Sequence, residues 1–106
     1  METVISGMPC GVGEPWFDSV ESHLSHMMFS IPAVKGIEFG AGFNVRCMRG
    51  SLNNDPMKDG KMLSNHAGGI LGGHSTGEEI IFRLPIKPTP SISLKQESCD
   101  IMTLNW

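Results

Sequence analysis

The sequence predicts an α+β fold, an antiparallel sheet packed on one amphipathic helix. Ile80, Phe82, Leu84 and Ile86 alternate with Ile81, Arg83, Pro85 and Lys87, the clearest period-two run in the chain and so a strand with one apolar face. Phe17, Val20, Leu24, Met27, Met28 and Ile31 recur at helical spacing, with Ser19, Glu21, Ser22, Ser25 and His26 opposite them. The order strand, helix, strand, loop, strand sets that helix beside the sheet.

The first strand is expected within Thr3 to Met8, centred on Val4 and Ile5, and Gly11 and Gly13 break it. Glu14-Pro15 reads as a helix start, because proline suits the first turn and Glu14 and Asp18 suit its positive end. A helix of about four turns then runs to Ile31, where Pro32 disfavours its continuation. Ala33 to Phe39 alternates as a second strand, and Val45 to Met48 extends the strand pattern. Residues 51–64, with Asn53-Asn54-Asp55-Pro56 and Asp59-Gly60, read as a long exposed loop. Pro85 marks the last strand as an edge or as the site of a bulge. The tail, 92–106, carries no defined pattern.

With 106 residues and 40% hydrophobic content, the chain is long enough for one small domain with a modest core. A net charge of −3 argues against a nucleic-acid partner, although it leaves room for a local cationic pocket. No apolar run reaches membrane-span length, and no basic leader precedes an apolar stretch. Cys10, Cys47 and Cys99 form an odd set without short spacing, the pattern of reduced thiols in a cytoplasmic protein.

Chemistry concentrates between Asn65 and Ser91. Gly68, Gly69, Gly72 and Gly73 flank Ile70 and Leu71; they suit either a nest of backbone N–H groups around a phosphate or a tight turn with close backbone packing. The spacing matches neither a P-loop nor a dinucleotide fingerprint. Lys87-Pro88-Thr89-Pro90-Ser91 places an ammonium and two hydroxyls on a path stiffened by prolines, which suits an anion or an ordinary strand exit. Arg46 and Arg49 are further cations, able to meet an acidic ligand or simply solvated. His23, His26, His66 and His74 have no acidic or cysteine partner at ligand spacing, so no metal is expected.

Taken together, these segments resemble chorismate synthase. The resemblance rests on Glu2-Thr3-Val4, Gly11-Val12-Gly13-Glu14-Pro15, Ser30-Ile31-Pro32-Ala33-Val34-Lys35-Gly36 and Met48-Arg49-Gly50-Ser51. It is strongest over Ser64-Asn65-His66-Ala67-Gly68-Gly69-Ile70-Leu71-Gly72-Gly73 and Lys87-Pro88-Thr89-Pro90-Ser91, and extends to about Leu104. It implies a sandwich of helices between antiparallel sheets, a tetrameric assembly, and reduced FMN as cofactor. The implied reaction is the anti elimination of phosphate and a ring proton from enolpyruvylshikimate phosphate to give chorismate, without net redox change. Carried over by motif, Pro32, Ala33, Gly72, Lys87, Pro88, Thr89, Pro90 and Ser91 would touch FMN, and Arg49 the substrate. The family's Ser-His-Gly, Arg-Ser-Ser-Ala-Arg and Arg-His-Asp-Pro motifs do not occur in these residues, so no catalytic residue is assigned. The resemblance therefore identifies a single partial domain, cut from the middle-to-late portion of a longer protein, carrying part of a flavin site and inactive alone. The alternative is a flavin-binding or self-associating structural fragment. His74 stands where the family has an aliphatic or amide residue.

Overall fold

The structure, a computed structural model, describes residues 1–98; Cys99, the end of the expected tail and the far limit of the resemblance lie outside the described residues. Its organising element is β7 (Ile80–Arg83), which pairs antiparallel with β1 (Glu2–Ile5) on one side and β2 (Glu38–Phe39) on the other. The register sets Thr3 opposite Phe82, Ile5 opposite Ile80 and Phe39 opposite Phe82. Because strand side chains alternate, Ile80, Phe82 and Leu84 all turn to one face, where they are 0%, 2% and 3% exposed. Each buried aliphatic or aromatic side chain there stabilises the fold by about 1.5–3 kcal/mol.

That face is covered by α1 (Val20–Phe29), through Val20, Leu24 and Met28. The helix is shorter than its apolar spacing predicts. Pro15 is extended and Trp16 has φ 60°, so the chain makes a 3₁₀ turn at Trp16–Asp18 before the α-helix begins. Ser19 is the true N-cap: its Oγ accepts from the Ser22 N–H at 3.0 Å. It is therefore buried, whereas Phe17, expected in the apolar stripe, is 91% exposed.

The second strand is also shorter than expected. Val34 bridges Ile86, but regular pairing resumes only at Glu38 opposite Arg83. Four steps from 34 to 38 thus face three steps from 86 to 83, which is a bulge. Pro85 sits opposite it, with no N–H to give; its carbonyl accepts from Lys35 N at 3.0 Å. The edge alternative for the last strand is overturned, because β7 is central and ends before Pro85.

Gly42–Cys47 forms a 3₁₀ helix where Val45 to Met48 promised a strand. The Glu38 carboxylate accepts from the Phe43 N–H at 3.1 Å, which favours the helical turn. Residues 51–64 hold the end of a one-turn helix, α2 (Gly50–Asn53), and a small hairpin of β3 (Met57–Lys58) and β4 (Lys61–Met62). A second hairpin, β5 (Ile70–Leu71) with β6 (His74–Ser75), is built into the glycine segment.

One contact fixes how that segment lies. Gly40 N donates to Ile81 O at 2.9 Å, Ala41 N to His66 O at 2.8 Å, and Ile81 N to Gly68 O at 3.2 Å. A Cβ on Gly40, at φ 58°, would overlap the His66 carbonyl and the Gly68 amide. Gly40→Ala is therefore expected to destabilise the chain by more than about 3 kcal/mol. Gly11→Ala, at φ 84° with open space around it, is expected to cost only about 1–2 kcal/mol. Urea denaturation of the two variants measures the difference.

Candidate functional site

The expected site residues fall into two groups. The first forms beyond the helix. After α1 ends, Ile31 O accepts from Val34 N at 3.4 Å and Ala33 takes φ 72°, a left-handed conformation in a residue other than glycine. This turn aims the Ala33 carbonyl at Lys87 N, 2.9 Å away. Pro32 and Ala33 thereby sit beside the start of Lys87–Ser91. Residues 87–98 are exposed, and Lys87 takes part in no ion pair among the described residues. An unpaired ammonium with the hydroxyls of Thr89 and Ser91 nearby in sequence is a donor set that suits a phosphate group.

The second group is the glycine segment, and here packing explains three of the four glycines, Gly68, Gly69 and Gly73. Gly68 and Gly69, at φ 69° and 82°, lie against Gly40 and against the backbone of Glu79 and Ile80. Gly72 and Gly73, at φ 61° and 87°, make the tight turn between β5 and β6. Gly73 O accepts from Val20 N at 3.1 Å, so this turn packs at the start of α1. Gly72 alone stays open: an added Cβ would meet nothing within 4 Å.

The two groups do not converge. Gly73 O meets the first residue of α1 and Ala33 comes four residues after its last, with the helix itself about 15 Å long between them. Arg49 joins neither; it is the exposed N-cap residue of α2. Arg46 donates from Nη1 to Phe43 O at 3.2 Å. His23 lies 3.5 Å from Asp18 at the exposed start of α1, and His74 contacts Gly72 O at 3.2 Å. Among the described residues no group of three or more His, Cys, Asp or Glu can hold a metal ion.

Two carboxylates have structural partners that sequence reading missed. Glu38 accepts from Arg83 Nε at 2.8 Å and is held below the ordinary carboxylate range by that bond and by Phe43 N–H. Arg83, raised by Glu38 and then by Glu2, ties all three strands together and donates to Gly40 O as well. Asp55 reads in the sequence as a turn residue before proline. In the fold its side chain is 8% exposed and faces the residues preceding the glycines. Burial pushes its pKa up, and donation from Ser64 Oγ, Ala67 N and His66 N outweighs that and holds it below the usual value. No linear signal announces this contact, because its partners lie nine to twelve residues away.

The fold and the cationic end of its sheet define an α+β domain with an open patch suited to an anion. Residues 1–105 match the family model described as chorismate synthase. The chain is 56% identical over 98 residues to a chorismate synthase of Campylobacter jejuni subsp. doylei, covering 92% of this chain and 27% of that protein. It is 50% identical over 103 residues to one from Chitinophaga pinensis, covering 95% and 31%, and 52% identical over 104 residues to one from Archaeoglobus fulgidus, covering 94% and 29%. A solved structure titled "Crystal Structure of Chorismate Synthase" superposes with a TM-score of 0.78 at 33% identity, over 84% of this chain and 29% of that one. The chain belongs to the chorismate synthase family. It spans less than a third of the length of the curated relatives named above.

Two expectations follow from the geometry. Ala33→Gly relieves a left-handed alanine at the cost of backbone entropy, and is expected to raise stability by about 0.5–1 kcal/mol in urea denaturation. The depressed pKa of Asp55 contributes stability above its unfolded value of 3.8, and that stability is lost as pH falls through the lower folded value. Asp55→Asn is therefore expected to flatten the stability curve below about pH 4, read by urea denaturation from acid to neutral pH.

Proposed function

We propose that this chain carries one wall of the flavin site of a chorismate synthase. The observation that supports the reading is the backbone bond from Lys87 N to Ala33 O, which sets Pro32 and Ala33 beside Lys87, Pro88, Thr89, Pro90 and Ser91. In this reading Lys87 offsets the negative charge of bound reduced FMN, and Thr89 and Ser91 hydrogen-bond to it. The stiff proline backbone holds these groups in place, so little order has to be gained on binding. FMN in its reduced form supplies electron density that helps a phosphate leave.

The reaction we assign to the intact family protein is the elimination of phosphate from enolpyruvylshikimate phosphate to give chorismate, in the cytoplasm. These 106 residues hold neither the family's histidine motifs nor its arginine motifs, so we expect the chain alone to bind flavin without turnover. Arg49 is a contact for the anionic substrate in this reading.

Gly72 favours assembly as part of the same proposal. It is open to solvent and neighbours the start of α1, whereas Ala33 follows the other end, so we assign it to a flavin held by a second copy. Trp16, Phe17 and Phe43, which are 86%, 91% and 70% exposed, supply apolar surface for self-association. The edges of β1 and β2 supply unpaired backbone. A self-associating fragment without flavin is the alternative.

Anaerobic titration with reduced FMN tests the reading. The parent chain is expected to bind saturably, and Lys87→Ala to weaken binding by about tenfold, as loss of a charge-assisted bond would. Chorismate formation by the isolated chain is expected to be undetectable. Absence of saturable binding by the parent chain overturns the flavin reading, and a monomer by sedimentation overturns the shared site.

A further inference from the structure

Asp55 has more structural work than a turn residue needs. Its Oδ1 accepts from Ser64 Oγ at 2.7 Å and from His66 N at 2.7 Å, and its Oδ2 accepts from Ala67 N at 2.9 Å. All three donors lie on the four residues before Gly68. Consecutive amides are thus divided between the two oxygens of a single carboxylate. Oδ1 also lies 3.1 Å from His66 Nδ1 without hydrogen-bond alignment, leaving that nitrogen buried and unpartnered.

The order imposed here passes directly into the glycine segment. His66 O accepts from Ala41 N at 2.8 Å, which seats the turn on the residue after Gly40. Asn65 extends the hold: Oδ1 accepts from Gly69 N at 2.9 Å and Nδ2 donates to Glu79 O at 2.8 Å. From Gly69 the chain enters β5, turns at Gly72 and Gly73, and returns along β6. Asp55 comes from the other side of the β3–β4 hairpin, where Leu63 N donates to Pro56 O at 2.7 Å, and its carboxylate carries that pairing on to Ser64, His66 and Ala67.

We infer that Asp55 is a positioning residue for the glycine segment: its ionised carboxylate, and not its size, sets the path by which Gly72 is presented. The chemistry requires an acceptor at both oxygens. Asparagine is almost the same size, yet it offers one acceptor and one NH₂ donor. It must therefore leave at least one of the three donors facing another donor, in a place with little water to replace the bond. The inference deepens the proposed flavin site and rests on that reading for its ligand. It names a residue that touches no ligand itself and lies in a segment without an assigned role.

The test compares amide hydrogen exchange and reduced-FMN affinity in the parent chain, Asp55→Asn, and the core control Ile80→Val. In Asp55→Asn, exchange at His66, Ala67 and Gly69 is expected to rise about tenfold or more. Amides of Phe82 and Leu84, on the β1 side of the sheet and away from that segment, should keep their protection relative to overall stability. FMN affinity should fall by about tenfold. Ile80→Val should lower stability without a specific rise in that segment and without loss of affinity. Unchanged exchange at His66 and Ala67 overturns the inference. So does an affinity loss in Ile80→Val equal to that in Asp55→Asn, because the effect is then global, and so does faster exchange with unaltered affinity. If the parent chain binds no FMN, the flavin reading fails on its own, and the exchange comparison still upholds or overturns Asp55 as organiser of the segment.

Discussion

The close approach of the Gly40 and Gly68 backbones is the constraint on which the rest depends. β7 can be the centre of the sheet only because the chain on its far side comes near enough to exchange hydrogen bonds with Ile81 at Gly40 and Gly68. A side chain at either glycine would separate these backbones. The three-stranded sheet supplies the apolar face that holds α1. The same contact fixes where the β5–β6 hairpin emerges, and the hairpin in turn meets the start of α1 through Gly73 O. A few glycines therefore couple sheet, helix and hairpin, where a larger domain would use side-chain volume.

Charge reinforces this arrangement at two points. Arg83 gathers Glu2, Glu38 and the Gly40 carbonyl on the face of the sheet away from α1. These groups are partly exposed, so their main contribution is to fix strand register and not to add much stability. Asp55 is different because its side chain is only 8% exposed and its bonds go to main-chain and hydroxyl donors. A buried carboxylate is costly unless its acceptors are all used, and here they are used to shape one turn.

The sequence carried the fold class and the strongest elements for physical reasons. The Ile80–Leu84 alternation is visible because one face of the sheet there is buried and the other is not; Ile86, expected on the same face, lies past the end of β7 and is 48% exposed. The helix was legible as an apolar stripe but its start was not, because Glu14-Pro15 resembles an N-terminus while Ser19 actually caps it. Val45 offered β-branched character to a segment that Glu38 turns into a 3₁₀ helix from five residues away. The motifs that nominate the candidate site were legible, and the spatial grouping of their residues was not. Spacing along the chain brings Pro32 and Lys87 no closer than Gly72 and Lys87; the antiparallel ladder joins the first pair and leaves the second at opposite ends of α1. Asp55 was hidden because its significance lies wholly in three donors brought to it by a hairpin.

The central claim is that the Ala33–Lys87 corner is where this chain meets flavin. Amide chemical shifts of the isotope-labelled chain, recorded anaerobically with and without reduced FMN, test it most directly. The account predicts that the largest shifts fall on Ala33, Lys87, Thr89 and Ser91, with Gly72 moving only under conditions where the chain self-associates. Shifts that spare that corner, or that appear first and largest at Gly72 in the monomer, would contradict it.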